Sequence, residues 1–432
     1  MVTLSPALAA SHLNVMNFLN EVTFWYPKAV SFAPGRPLEQ HIDIPGALGQ
    51  LERYVRATAD QEQLDPHALM RQLGQYHKTN GMINGLISRF LLKDENINVP
   101  PQALMVTDGG QEAMLILIAG LFDREQDVLL VTDPTYIGIT GIASILGLDM
   151  QSVPHDNQGL DLVALEAAIQ QIRARGKTPK ALYVIPDFNN PVGTRMSIDA
   201  KRKLLDIAHE HHLLLIEDNP YGMLDFEGGA PEPTIKSLDQ NQTVIYIGTF
   251  SKILFPGVRI GFMVADQTVL DQETGKTIYL AQDFSRIKSL TSVNTSPLLQ
   301  AIVGGYLIEH NYSLRSLVQQ KLPIYRKNRD TMLEMLDREI GADPKLSALV
   351  SYSRPSGGFF LNMTLPFEFT REKLRLCAEQ YDVICCPMSF FSLQPGREHQ
   401  IRLSFSYVSQ EQIRSGVKNL ARFIRDQIEH QG

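Results

Sequence analysis

The chain has 432 residues, 44% hydrophobic and 20% charged, enough apolar material for a large packed core, which excludes disordered, collagen-like and low-complexity classes. Lys and Arg number 40 against 47 Asp and Glu, a net charge of −7 that disfavours a nucleic-acid role. Cys377, Cys385 and Cys386 have neither metal nor disulfide-framework spacing, no cationic start leads into an apolar segment, and Met114–Phe122 is far shorter than the ~18 apolar residues of a membrane helix, so the expectation is a soluble protein of the reducing cytoplasm.

Residues 1–62, rich in Pro, Gly and aromatics, read as an irregular arm that packs against the rest. Beyond them, short β-rich runs alternate with helical patterns. Strands are expected at Ala103–Thr107, Val128–Thr132, Ala181–Ile185, Leu213–Glu217 and Val244–Gly248, and helices at Gln111–Phe122 and Ile198–His211. Ser197 suits an N-cap and Asp199 favours the N-terminal end of the second helix. The strands are apolar almost throughout, as in a parallel sheet covered on both faces. This predicts an α/β body over residues 63–320. Near Pro323 the pattern changes to a long helix, Tyr325–Ile340, followed by short strands and helices, which predicts a smaller α+β lobe over residues 321–432.

Four strand ends carry chemistry. Thr107-Asp108-Gly109-Gly110-Gln111 joins a strand to an apolar helix, where glycines admit close backbone approach and the helix N-terminus offers N–H groups to a phosphate. Pro186-Asp187-Phe188-Asn189-Asn190-Pro191-Val192-Gly193 is a rigid loop in which Asn190 is a neutral donor able to bond a phenolate oxygen. Leu214–Tyr221 delivers Asp218, able to keep a pyridinium protonated, and Tyr221, able to donate to a ring oxygen. Thr249-Phe250-Ser251-Lys252 places an amine where open α/β sheets bind ligands, and partial desolvation there makes a lysine nucleophilic. Arg259, after the Pro256-Gly257 turn, can bring a guanidinium back to a phosphate. Singly, each has a plain structural reading: a solvated loop lysine, a turn, a capping aspartate, a tight packing glycine. Together, an amine, a carboxylate, an amide and a phosphate cradle at successive strand ends describe one pocket for a planar phosphorylated pyridine aldehyde.

With these motifs the chain resembles the class I/II aminotransferases, the fold-type-I enzymes that use pyridoxal 5′-phosphate, from about Ser31 to Phe405. The resemblance implies the fold-type-I α/β architecture: a large cofactor-binding domain with a mostly parallel, seven-stranded-type sheet (63–320), a small α+β domain (321–432), and an arm (1–62) that joins the small domain. It implies Lys252 as the lysine of the internal aldimine, Asp218 on the pyridinium nitrogen, Asn190 and Tyr221 on the ring oxygen, and Tyr136 stacked on the ring. Gly109, Gly110, Gln111, Thr249, Ser251 and Arg259 would surround the phosphate, and Tyr76 would cross a homodimer interface to the partner's phosphate. Arg402 would grip the substrate α-carboxylate, with Gly35 and Arg36 beside the substrate; Arg36 could equally brace its loop. No metal is implied.

Within the family the chain is similar to the α-aminoadipate and aromatic aminotransferase branch. Ser31-Phe32-Ala33-Pro34-Gly35-Arg36-Pro37 and Met16-Asn17-Phe18-Leu19-Asn20-Glu21 resemble segments of (S)-3,5-dihydroxyphenylglycine transaminases of specialised metabolism. Where that branch carries Gly-Gly, this chain has Pro34-Gly35, close to the expected substrate pocket, which leaves the substrate open. The expected activity is transfer of an amino group between an aromatic or uncommon amino acid and a 2-oxo acid. A lyase, decarboxylase or oxidase on the same scaffold is the alternative, because fold does not fix reaction. A cofactor-binding sensor module is disfavoured, since only the residues up to Val30 precede the resemblance and no DNA-binding helical domain is read among them.

Overall fold

The computed structural model describes Val2 and residues 14–156, 159–228 and 232–430. In chain order its strands are β1 (Val30–Ser31), β2 (Leu104–Thr107), β3 (Asp127–Asp133), β4 (Asp149–Asp156), β5 (Gly159–Leu160), β6 (Thr178–Val184), β7 (Leu214–Asp218), β8 (Val244–Thr249) and β9 (Gly261–Val264). A central sheet of eight strands runs β2-β9-β8-β7-β6-β3-β4-β5. The run β8-β7-β6-β3-β4 is parallel, whereas β9 is antiparallel to both its neighbours. Burial explains the apolar strands: every residue of β2, β3 and β9 is buried. Register then sets the site. Val184 lies beside Glu217 and Asp218 beside Ile247, so the C-terminal ends of β6, β7 and β8 share one edge. Because β9 runs against both β8 and β2, the end of β2 reaches that edge too, with Thr107 and Thr249 both opposite Gly261.

The helices used below are α1 (Asn14–Trp25), α2 (Ile44–Glu62), α3 (Gly109–Leu121), α4 (Ile198–Glu210), α5 (Pro297–Glu309), α6 (Arg315–Leu336) and α7 (Gln410–Glu429). Helix α3 opens directly on Gly109 and Gly110, two residues earlier than expected, and α4 is capped by Ser197, whose hydroxyl accepts from the Ala200 amide.

Two expectations fail. From residue 14 to residue 62 the chain is not irregular, since it contains α1 and the 19-residue α2; most of the expected arm before Asn14 lies outside the described residues. Pro45, Gly46 and Gly49 hide the second helix, but Asp43 caps it, accepting from the Gly46 amide, and Ala47, Tyr54, Val55 and Ala59 make its buried stripe. It lies on α5 so closely that a Cβ on Gly305 would stand 2.0 Å from the Gln50 carbonyl oxygen. The long helix does not begin beyond Pro323 but at Arg315, runs through the proline, and ends in a π-turn at Asp337–Gly341. Pro323 and Gln319, whose carbonyl loses its N–H partner, are both exposed residues, where solvent can supply the lost bond.

A second, antiparallel sheet runs Ser351–Tyr352, Phe360–Thr364, Gln400–Ser404, Cys386–Pro387 in space, with α6 and α7 packed together on it. The chain's start is tied to this part, because β1 pairs in parallel with Val383–Ile384. Cys377, Cys385 and Cys386 are buried and unpaired there, and burial pushes the Cys386 thiol up to about 11, where it is inert at neutral pH. Among the described residues, no helix is long and apolar enough to cross a membrane.

Candidate active site

A cavity of about 380 Å³ opens at the shared strand edge, between the central sheet and the second sheet. Lys252, Asp218, Asn190, Tyr221 and Tyr136 line it, as do Gly110, Gln111, Thr249, Ser251 and Arg259, and on the opposite side Gly35, Arg36 and Arg402. Of the residues expected from sequence, only two stay outside this lining. Gly109 lies just behind it, with positive φ, where an added Cβ would stand 2.4 Å from an Arg259 guanidinium nitrogen. Tyr76 is 81% exposed and takes no part in its own chain's cavity.

Asp218 ends β7 fully buried, accepting a 2.6 Å hydrogen bond from the Tyr183 hydroxyl of neighbouring β6. Burial raises its carboxyl to about 6, while that hydrogen bond and the Lys252 charge pull it the other way. Sequence reading missed Tyr183. A signal existed, since a hydroxyl inside an otherwise apolar strand has to find a partner.

Lys252 is half-buried one turn beyond β8, its Nζ turned inward and donating to the Gly35 carbonyl at 2.9 Å. Burial lowers its amine to about 8, and the cations Arg259, Arg402 and Arg36 add to that while Asp218 opposes it. At neutral pH a larger share of the amine is then uncharged than in an ordinary lysine. Gly35 is glycine for want of room: a Cβ there would stand 2.3 Å from the Phe360 ring.

Arg402 projects from Gln400–Ser404, buried between the rings of Phe360 (4.3 Å) and Phe391 (4.6 Å). One terminal nitrogen donates to Asn190 Oδ1 at 2.7 Å and the other to the Ala33 carbonyl, while Nε is buried without a partner. Both Phe360 and Phe391 were unforeseen, and nothing in the local sequence marks them. Tyr136 receives a 3.0 Å hydrogen bond from Gln111 Nε2, and burial pushes the hydroxyls of Tyr136 and Tyr221 well up, so both are neutral donors.

The third corner gathers donors of the kind that suit an anion. Arg259, with left-handed backbone, reaches Ser251 Oγ (3.5 Å) and the Asp108 carbonyl (3.1 Å). Thr249 Oγ1 accepts from the Ser251 amide (3.2 Å), and the first N–H groups of α3 open beside it at Gly110 and Gln111.

These residues fit pyridoxal phosphate. Asp218 suits the ring nitrogen, Asn190 Nδ2 and Tyr221 the ring oxygen, the α3 start and Arg259 the phosphate, and the partnerless Arg402 Nε a carboxylate. The model for aminotransferase class I and II matches residues 44–420 of this sequence. The chain belongs to that aminotransferase family. It is 37% identical over 424 residues, covering 98% of this chain and 94% of the other, to (S)-3,5-dihydroxyphenylglycine transaminase of Amycolatopsis orientalis. Among solved structures, the multiple substrate aminotransferase of Thermococcus profundus superposes with a TM-score of 0.81 at 27% identity, covering 99% of this chain and 98% of that one. An α-aminoadipate aminotransferase of Thermus thermophilus, complexed with N-(5′-phosphopyridoxyl)-L-leucine, gives 0.77 at 27% identity, covering 99% and 100%. The aminotransferase is thus a fold-type-I enzyme of a family that uses pyridoxal phosphate.

Proposed function

We propose that this aminotransferase moves an amino group between an aromatic or otherwise uncommon amino acid and a 2-oxo acid, with pyridoxal phosphate held at Lys252. One observation carries the reading. Lys252 and Arg402 donate to the carbonyls of Gly35 and Ala33, two residues apart on one segment. A two-residue step in an extended chain spans roughly 7 Å, which leaves room for one small amino acid between the amine and the guanidinium.

Bound there, the cofactor supplies the carbonyl carbon that takes the amino group and the ring that accepts electrons from Cα. Arg402 fixes the donor's α-carboxylate through its planar fork, and the two phenylalanine rings hold that plane. With the cofactor held there, the uncharged Lys252 amine would take the Cα proton as base and give it back as acid. Asp218, oriented by Tyr183, would hold a ring nitrogen beside it protonated. Asn190, whose Oδ1 is taken by Arg402, has only its N–H groups left to offer the ring oxygen.

Likeness to the dihydroxyphenylglycine transaminase supports an uncommon aromatic substrate and a place in specialised metabolism. Exposed Tyr76, followed by His77 whose amide donates to Asn294 next to exposed Val293, supports a homodimer with shared sites. Buried unpaired thiols support the reducing cytoplasm. The test is spectral: load the protein with pyridoxal phosphate, titrate with single amino acids, and assay the product. Loss of the lysine-bound absorbance with one equivalent of 2-oxo acid, reversed by a second 2-oxo acid, is the expected result. Release of ammonia or carbon dioxide instead would overturn it.

A further inference from the structure

Behind the corner of the cavity that suits an anion lies a buried ion pair to which amino transfer itself gives no role. Lys288, on the short helix Ser285–Thr291, is fully buried. Its Nζ donates to Glu112 Oε2 at 2.7 Å and to Ser292 Oγ and Thr295 Oγ1, each at 3.0 Å, so all three of its N–H groups are used. Thr295 Oγ1 in turn donates to the Val106 carbonyl of β2, at 3.2 Å. Glu112 stands in the first turn of α3, its side chain only 9% exposed, and the same Oε2 accepts from the Asp108 amide at 2.7 Å. The Asp108 carbonyl accepts from Arg259. A line of bonds therefore runs from Lys288 through Glu112 and the Asp108 backbone to the guanidinium.

This arrangement decides which N–H groups of α3 stay open. Asp108, at the cap position, makes no side-chain bond to the helix, so the Gly110 and Gln111 amides that a capping side chain would occupy are left to a ligand. Glu112 takes only the amide ahead of them. Burial works to raise the Glu112 carboxyl, but the bonds from Lys288, Ser292 and the Asp108 amide outweigh it and hold it below the usual carboxylate range, so it is charged at neutral pH. Alone, that charge would repel a phosphate dianion, and in a buried setting the repulsion is poorly screened. The other charged groups near the pair, Asp108 and Arg259, are exposed to solvent, so Lys288 is the buried charge that cancels it. A buried ion pair seldom stabilises a fold better than two apolar groups, and a glutamine would hold the Asp108 amide with no desolvated charge, so stability alone does not account for the pair.

We propose that Glu112 and Lys288 are positioning residues of the phosphate site. Glu112 fixes Asp108, so that its carbonyl aims Arg259 while the Gly110 and Gln111 amides stay open, and Lys288 cancels the carboxylate's charge so that a phosphate dianion is accepted. Neither residue lines the cavity. The proposal rests on the aminotransferase reading, which puts the cofactor's phosphate at this corner.

The experiment titrates the cofactor-free full-length chain with pyridoxal phosphate and with pyridoxal, which has the same ring and aldehyde but no phosphate, following the lysine-bound absorbance. In Lys288→Met the affinity for pyridoxal phosphate falls roughly 10–100-fold, the range of one charged hydrogen-bonded group, while that for pyridoxal is unchanged. Glu112→Leu, which frees the Asp108 amide, gives a smaller loss with the same selectivity. The double variant Lys288→Met/Glu112→Gln restores neutrality and keeps an acceptor for the amide, and it recovers most of the lost affinity. An unchanged Kd for pyridoxal phosphate in folded Lys288→Met, an equal loss for both aldehydes, or a double variant no better than Lys288→Met would overturn the proposal and leave the pair a brace of the fold. If Lys288→Met does not fold, Glu112→Leu set against the double variant makes the same comparison. Inorganic phosphate gives a readout free of the cofactor: it raises the unfolding midpoint of the cofactor-free wild type, and raises that of Lys288→Met less. Equal shifts count against the pair. Should the wild type take up neither aldehyde, the aminotransferase reading falls, while the inorganic phosphate comparison still decides whether the pair serves an anion.

Discussion

Asp218 is held in a state that water would not favour. Its carboxyl sits at about 6 through burial, above the ordinary 3.8, so the stability tied to its protonated form is complete below pH 3.8 and is lost as pH rises through about 6. Asp218→Asn removes that loss and keeps an acceptor for Tyr183. The cofactor-free variant is therefore expected to be more stable than wild type at pH 7 by about 1–3 kcal/mol, with the gap closing at pH 4, while amino transfer disappears. Urea unfolding at the two pH values measures this, and a gap independent of pH would contradict it. Tyr183→Phe acts the opposite way. It takes a donor from the buried carboxylate, so the acid limb of the donor half-reaction moves to higher pH, a shift that stopped-flow pH profiles would read. At this scale the sequence was legible where a residue closes a strand. Asp218 stands out because its charge ends an apolar run, and Asn190 and Lys252 because an amide and an amine follow one within a few residues at the same sheet edge. Tyr183 was not, because its ring satisfies the strand's apolar pattern and only its hydroxyl does the positioning. Phe360 and Phe391 were invisible because their partner, Arg402, is near only in space.

Between residue and lobe, the segment from Met388 to Arg397 is a strap tied to the end of β3. Asp133 accepts from Ser392 Oγ (2.6 Å) and the Leu393 amide (2.9 Å), and Arg397 donates to the carbonyls of Asp133 and His155, each at 3.0 Å. The Thr135 amide donates to the Phe391 carbonyl at 2.9 Å. One clamp thus sets both Tyr136, which follows Thr135, and Phe391, one of the two rings against Arg402. Asp133 itself does not line the cavity, so its replacement separates positioning from chemistry. Asp133→Ala is expected to raise KM for amino donors about tenfold, lower kcat less, and cost about 1–3 kcal/mol of stability from the unmade hydrogen bonds. Ser392→Ala gives a smaller change in the same direction. A fall in kcat at unchanged KM would show that the strap does not hold the substrate side. None of this could be read in advance, because the strap's bonds join positions some 260 residues apart in sequence. The elements that were misread show the same limit. Helix α2 hides behind Pro45 and two glycines because its stability comes from lying on α5, and α6 ignores Pro323 because the carbonyl it orphans belongs to an exposed residue.

At the scale of the whole molecule, the sheet's edge and the second sheet close one cavity from two sides, and of the two expected site residues outside its lining Tyr76 is the one that stands exposed. If the functional unit is a homodimer in which Tyr76 serves its neighbour, the two halves of a site are encoded on different chains, and that is testable without any further structure. Consider Lys252→Ala and Tyr76→Ala, each nearly inactive alone, mixed under conditions that exchange subunits. In a mixed dimer the subunit carrying Tyr76→Ala still has its lysine, and it receives an intact tyrosine from the Lys252→Ala subunit. That one site is complete, and the other lacks both groups. With random exchange about half the dimers are mixed and each has one working site of two, so activity recovers to about a quarter of wild type. If Tyr76 instead served its own chain, the mixed dimer would hold one site without lysine and one without tyrosine, and no activity would return. Analytical ultracentrifugation of the wild type gives the accompanying measurement, a dimer at assay concentrations. A monomer that is fully active would remove Tyr76 from the site altogether.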